Sequence, residues 1–156
     1  MGKKIKKIIV VFGTRPEAIK MCPVINELKK YKSIETVVVV TGQHRQMLDQ
    51  VLGIFGIIPD YDLSIMRERQ DLFDITNAIM CGIRALFEKI HPDVVILRNL
   101  HSNYINYPIL LKYLASEDIP TIVVLHDVWT FTGHCCYYTE DRCNKWLTSC
   151  GHCPAI

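Results

Sequence analysis

Apolar positions along this chain follow two periods that take turns. Ile8, Ile9, Val10, Val11 and Phe12 form an unbroken, largely β-branched run, the pattern of a parallel strand buried on both faces. From residue 16 to 30 the spacing changes to three and four, which places Ala18, Met21, Cys22, Ile25 and Leu28 on one face of a helix that Pro23 should kink. A second all-apolar strand covers 37–40, followed by a helix over 43–55 with Met47, Leu48, Val51, Leu52 and Phe55 inward. Residues 59–69 mix polarity with Pro and Asp and read as a loop around a short strand. Asp71 then opens a long helix in which Leu72, Ile75, Ile79, Ile83, Leu86 and Ile90 recur at helical spacing, with Cys81 off the centre of the stripe. His91, Pro92 and Asp93 end it, and 94–97 is the next buried strand. A helix over 102–116, turning Ile105, Ile109, Leu110, Tyr113 and Leu114 toward the sheet, and a strand over 121–125 complete the series. Strands alternating with amphipathic helices predict an α/β, three-layer domain with a parallel sheet of about five strands and right-handed crossovers.

The 156 residues are one domain's worth of chain, so the series belongs to a single core. We place that domain at 1–130 and treat 131–156 as a cysteine-rich tail. The 18 basic and 16 acidic residues nearly balance, which gives no reason to propose nucleic acid or a membrane surface as partner. No apolar run approaches the length of an integral membrane segment, and the basic start MGKKIKK precedes too short an apolar stretch for a signal peptide. We expect a cytoplasmic protein, in which seven cysteines are thiols or metal ligands rather than disulfides.

The chemistry gathers where the first strand meets the first helix. Gly13 permits a tight turn, Thr14 and Glu17 have the spacing of a capping box, and Pro16 lies in the first helical turn, where a missing N–H costs nothing. A helix start at the C-terminal end of a buried strand is expected to leave backbone N–H groups facing the crevice where α/β sheets bind anions. Arg15 stands there with a guanidinium suited to a diphosphate.

The stretches GTRPEAIKM, TGQHRQMLDQVLGIFGI and PDYDLSIMRERQ, in that order, closely resemble the N-terminal domain of the non-hydrolysing bacterial UDP-N-acetylglucosamine 2-epimerases, from about residue 4 to 97. The resemblance implies one Rossmann-like half of a GT-B fold, an isomerase activity that interconverts UDP-N-acetylglucosamine and UDP-N-acetylmannosamine, no cofactor, and a UDP-sugar as partner. It also implies a homodimer. It assigns substrate binding to Arg15 and Lys20. Gln43, Gln46 and Arg69, with His44 beside them, would bind a second, regulatory UDP-N-acetylglucosamine.

From about residue 94 to 156 the chain resembles a different family. LRNLHSNYINYPILLKYLASEDIPTIVVLHDVWTFTGHCCYY and CNKWLTSCGHCP are similar to the N-terminal domain of bacterial group 1 glycosyltransferases, whose matching segment lies at the acceptor side of the cleft. Where the epimerases carry a Gly-Asp pair after the fourth strand, this chain has Arg98-Asn99-Leu100-His101. His126 and Asp127 fall at a strand's C-terminal end and are the candidate catalytic pair, a general base with its orienting partner. Five cysteines crowd residues 135–153. Cys150 and Cys153 have the gap of a zinc knuckle, and Cys143 with Cys136 or Cys135 would complete a structural zinc site, free thiols or an exposed redox pair being the alternatives. The leading expectation is thus an epimerase-like sugar-nucleotide domain, incomplete and inactive alone. Its rivals are the acceptor domain of a cell-envelope glycosyltransferase and a non-catalytic fragment.

Overall fold

The computed structural model describes residues 5–42, 45–98, 105–125 and 143–144. The chain divides into two compact units, Met1–Val123 and Val124–Ile156. Along the chain, strands and helices follow one another as β1 (Lys6–Phe12), α1 (Arg15–Leu28), β2 (Ile34–Val40), α2 (Arg45–Ile54), β3 (Tyr61–Asp62), α3 (Leu72–Ile90), β4 (Val94–Arg98), α4 (Tyr107–Ser116) and β5 (Thr121–Val124). The strands form one five-stranded parallel sheet in the order β3-β2-β1-β4-β5. The expected α/β architecture is therefore present.

Side chains alternate across a strand, so each central strand feeds both layers of helices. Ile9 and Val11 of β1, Val37 and Val39 of β2 and Val95 and Leu97 of β4 pack with Ile79, Ile83, Leu86, Phe87 and Ile90 of α3 and Leu110 and Leu114 of α4. The intervening residues Val10, Phe12, Val38, Val40 and Ile96 are buried on the opposite face, which faces the buried Ala18, Met21, Cys22 and Ile25 of α1 and Leu48, Val51 and Leu52 of α2. Desolvation in this layer pushes the Cys22 thiol pKa up, as burial without a charged partner does.

Three inward assignments need correction. Met47 is 46% exposed, Leu72 50% and Ile109 55%. Each lies at the margin of its apolar stripe, where helical spacing still counts it but none of the described elements covers it fully. Phe55 and Ile75 are half-buried. Pro23 lies inside α1 on its exposed side.

The amino end of the sheet is closed by Asp93. Its carboxylate accepts from the Lys7 amide at 2.9 Å and pairs with Lys6 Nζ at 3.1 Å, while Lys7 Nζ donates to the carbonyl of Ile90 at 3.0 Å, at the last turn of α3. His91 ends that helix in the left-handed conformation at φ 50°. These contacts occupy the floor and leave chemistry to the opposite end.

Candidate functional site

The register sets which residues share the carboxyl end of the sheet. Phe12 of β1 pairs with Val40 of β2, and Val11 with Leu97 of β4, so the three central strands end level. The Thr41 amide extends the ladder by donating to the Phe12 carbonyl at 3.1 Å. Beyond these tips lie Gly13, Thr14 and Arg15 from the first crossover, Thr41 and Gly42 from the second, and Arg98 from β4.

The first crossover is tightly organised. Thr14 is extended at φ −120° and ψ 161° and forms a reciprocal capping box with Glu17. One oxygen, Glu17 Oε2, accepts both the Gly13 amide at 2.7 Å and the Thr14 amide at 2.8 Å. The Glu17 side chain is only 7% exposed. Burying a carboxylate is costly unless it is hydrogen-bonded, and here two amides and the positive end of α1 offset the cost. Two of the backbone N–H groups expected to face the crevice, those of Gly13 and Thr14, are thus already engaged, which corrects the view of them as a ready anion site. Arg15, the first residue of α1, is exposed at the mouth as anticipated. Lys20 is also exposed, but five residues further on it lies roughly 140° around the helix axis, so the two cations do not stand side by side.

At the second crossover Gly42 adopts φ +78°, where a larger residue would be strained, and a Cβ there would sit 3.0 Å from Asp62 Oδ1, so that side chain would have to give by a few tenths of an ångström. The segment after β3 is zipped to the tip of β2, with Leu63 N donating to Val40 O at 2.9 Å and Ile65 N to Thr41 O at 3.2 Å. Gln70 fastens the same loop, giving its Nε2 to the Ile65 carbonyl at 2.9 Å and accepting from the Arg67 amide. Ser64 and Arg69 hold left-handed φ values of 45° and 59°, uncommon for residues with a side chain. Arg69 is exposed on this loop, and Gln46 is exposed in the first turn of α2. Topology therefore brings Arg15, Gln46 and Arg69 to one end of the sheet, from the crossovers after β1, β2 and β3.

Two further residues, neither a candidate for the site by sequence, reach this end. Arg98 is 6% exposed at the tip of β4, and Thr41 is buried with no hydrogen-bond partner for its Oγ1 among the described residues. With Gly13, Phe12 and Ile105 they line a cavity of about 20 Å³, the scale of a single water. A charged residue closing the apolar run VVILR was the signal for Arg98, and Thr41 opens the stretch TGQHRQMLDQVLGIFGI.

Gln43, His44, His126, Asp127, Cys136, Cys150 and Cys153 lie outside the described residues. Cys143 is a half-buried free thiol, and among the described residues no three His, Cys, Asp or Glu side chains cluster as a metal ion would require. No described helix is long and apolar enough to cross a membrane.

A parallel sheet with helices on both faces and a strand-turn-helix mouth at its carboxyl end defines a Rossmann-like α/β domain. Residues 26–98 match the family model for UDP-N-acetylglucosamine 2-epimerase. The chain is 54% identical over 93 residues to the UDP-N-acetylglucosamine 2-epimerase of Campylobacter jejuni and 57% identical over 91 residues to that of Bacillus subtilis, covering 60% and 58% of this chain and 24% of each relative. A crystal structure of a UDP-N-acetylglucosamine 2-epimerase shares the fold at a TM-score of 0.67 with 46% identity, over 78% of this chain and 33% of that one. The Neisseria meningitidis enzyme, solved bound to UDP-GlcNAc, aligns at 0.66 with 38% identity, over 80% of this chain and 34% of its own. The N-terminal part of this chain thus carries an epimerase-family domain, and the chain spans about a quarter of the length of the curated relatives it matches. The fold likeness reaches further than the family match, which stops at residue 98.

Proposed function

We propose that this domain forms the N-terminal wall of a UDP-sugar site and that a protein containing it together with a second wall interconverts UDP-N-acetylglucosamine and UDP-N-acetylmannosamine. The reading is carried by Arg15, an exposed guanidinium on the first residue of α1 at the carboxyl end of the central strand. In the reaction, the proton at C2 leaves to a base and the C1–oxygen bond to the diphosphate breaks, giving a glycal and UDP. Re-addition of UDP with protonation at C2 from the other face yields the epimer. Arg15 would hold the diphosphate as it takes up negative charge, whereas Lys20, roughly 140° further around α1, would not share that contact. Gln43, His44, Gln46 and Arg69 would contact a second UDP-sugar.

The chain alone should not turn over. Proton removal at C2 needs a positioned base, worth about 10² to 10⁴ in rate. The Gly-Asp pair of the resembled family is replaced here by residues starting at Arg98, and His126 with Asp127 is the first pair to test as a substitute. The end of the family match at residue 98 fits a change of lineage there toward a glycosyltransferase-like acceptor segment. A cytoplasmic homodimer, and zinc at Cys136, Cys143, Cys150 and Cys153, complete the proposal.

Calorimetry of UDP and UDP-N-acetylglucosamine tests the central point. Arg15→Ala should weaken binding at least tenfold, about 1.4 kcal/mol, whereas unchanged affinity would move the site toward Gln46 and Arg69. Proton exchange at C2, followed by NMR, should be absent with the chain alone; clear exchange that Arg15→Ala abolishes would refute the inactive reading.

A further inference from the structure

We infer that Glu17 is a resident anion of the crevice: it occupies the backbone amides that a free phosphate would use, leaving anion recognition at this mouth to side-chain cations such as Arg15. The donors around the first turn of α1 are few. Gly13 N and Thr14 N both point to Glu17 Oε2, at 2.7 and 2.8 Å. Pro16 has no N–H, and the Ala18 amide donates to the Thr14 carbonyl at 3.0 Å. That leaves at most the amides of Arg15 and Glu17. A helix N-terminus that follows a strand ordinarily attracts phosphate because several amides converge on one point. Here the convergence is filled from within by a carboxylate that is almost fully buried and tethered only two residues from Arg15. An outside anion must displace a charge-assisted pair of hydrogen bonds to reach the amides, or meet the exposed guanidinium instead. Glu17 is therefore a positioning and specificity residue: it turns away small inorganic anions and selects ligands whose diphosphate is presented to a side chain. The inference concerns inorganic phosphate and does not depend on which sugar nucleotide the crevice takes.

That both amides use the same oxygen supplies the test. In Glu17→Gln the amide carbonyl can keep both bonds without the charge, whereas Glu17→Ala frees them. We would titrate the full chain with inorganic phosphate at constant ionic strength and follow the Gly13 and Thr14 amide signals by NMR, with their hydrogen-exchange protection measured beforehand. The expected result is protected, unresponsive amides in the parent and in Glu17→Gln, and a saturable response in Glu17→Ala, at least tenfold tighter than any in the parent. A saturable shift of either amide in the parent would overturn the inference. So would a Glu17→Gln chain that gains phosphate binding, since charge rather than occupancy would then be the cause, or a folded Glu17→Ala chain that stays silent. If Glu17→Ala does not fold, the parent and Glu17→Gln titrations decide the matter alone.

Discussion

Two helices of this domain begin with the same local device in different surroundings. At α3, Asp71 and Asp74 cap each other in the open, with Asp74 N donating to Asp71 Oδ1 at 2.8 Å and Asp71 N to Asp74 Oδ2 at 3.2 Å, both residues exposed. At α1, Thr14 and Glu17 make the corresponding reciprocal arrangement, but the carboxylate is buried and takes a second amide, that of Gly13, at a strand tip. The exposed box competes with water for every bond it makes, so each is worth little. The buried one meets less competition from water, and its loss leaves one buried and one half-buried donor without their acceptor. The same motif is thus a modest cap in one place and, in the other, part of what closes the crevice.

The comparison predicts a graded series in urea unfolding. Glu17→Ala should be the most damaging, by about 3 kcal/mol, because it leaves the buried Gly13 amide and the half-buried Thr14 amide without their acceptor. A loss below about 1 kcal/mol would mean that burial does not separate the two boxes. Glu17→Asp retains the charge but shortens the reach by one methylene, and should cost about 2 kcal/mol if placement of the oxygen matters more than its charge. Stability equal to the parent would show that the loop simply follows the carboxylate. Asp71→Ala removes an exposed N-cap and should cost about 1 kcal/mol; a cost matching Glu17→Ala would erase the contrast. Asp74→Glu, which lengthens the exposed partner to the residue type found at α1, should stay within about 0.5 kcal/mol of the parent, as substitutions at open surface positions usually do. A shift of Tm by more than a few degrees in either direction would show that the α3 cap is more constrained than its exposure implies.

Much of this fold was legible in the chain. Runs such as Ile8 to Phe12 and Val37 to Val40 are too apolar and too β-branched for anything but buried strands, and the three- and four-residue spacing of Ile79, Ile83, Leu86 and Ile90 identifies the inner face of α3. Periodicity tells which way a residue faces but not how far its neighbours extend, and that is why Met47, Leu72 and Ile109 passed for core and are about half exposed. Strand β5 illustrates the same limit. Its sequence TIVV reads like that of a central strand, yet at the sheet's edge none of its residues is fully buried. In the candidate site, Arg15 could be placed because a strand followed by Gly and a capping signal locates a helix start, whereas Arg98 and Thr41 are brought to the mouth only by the alignment of β4 and β2 with β1.

By itself the sequence determined the order of strands and helices, the start of α1 at Thr14, the reciprocal spacing of Thr14 and Glu17, and the position of Arg15 beside them, since each depends on residues within one turn of one another. Only the tertiary structure decided that Glu17 is buried and that a single oxygen takes two amides, closing the site those amides would have offered. Whether a donor is available depends on what competes for it, and the competitor's burial is set by the packing of α1 against the sheet, a property of the assembled layers rather than of any local stretch.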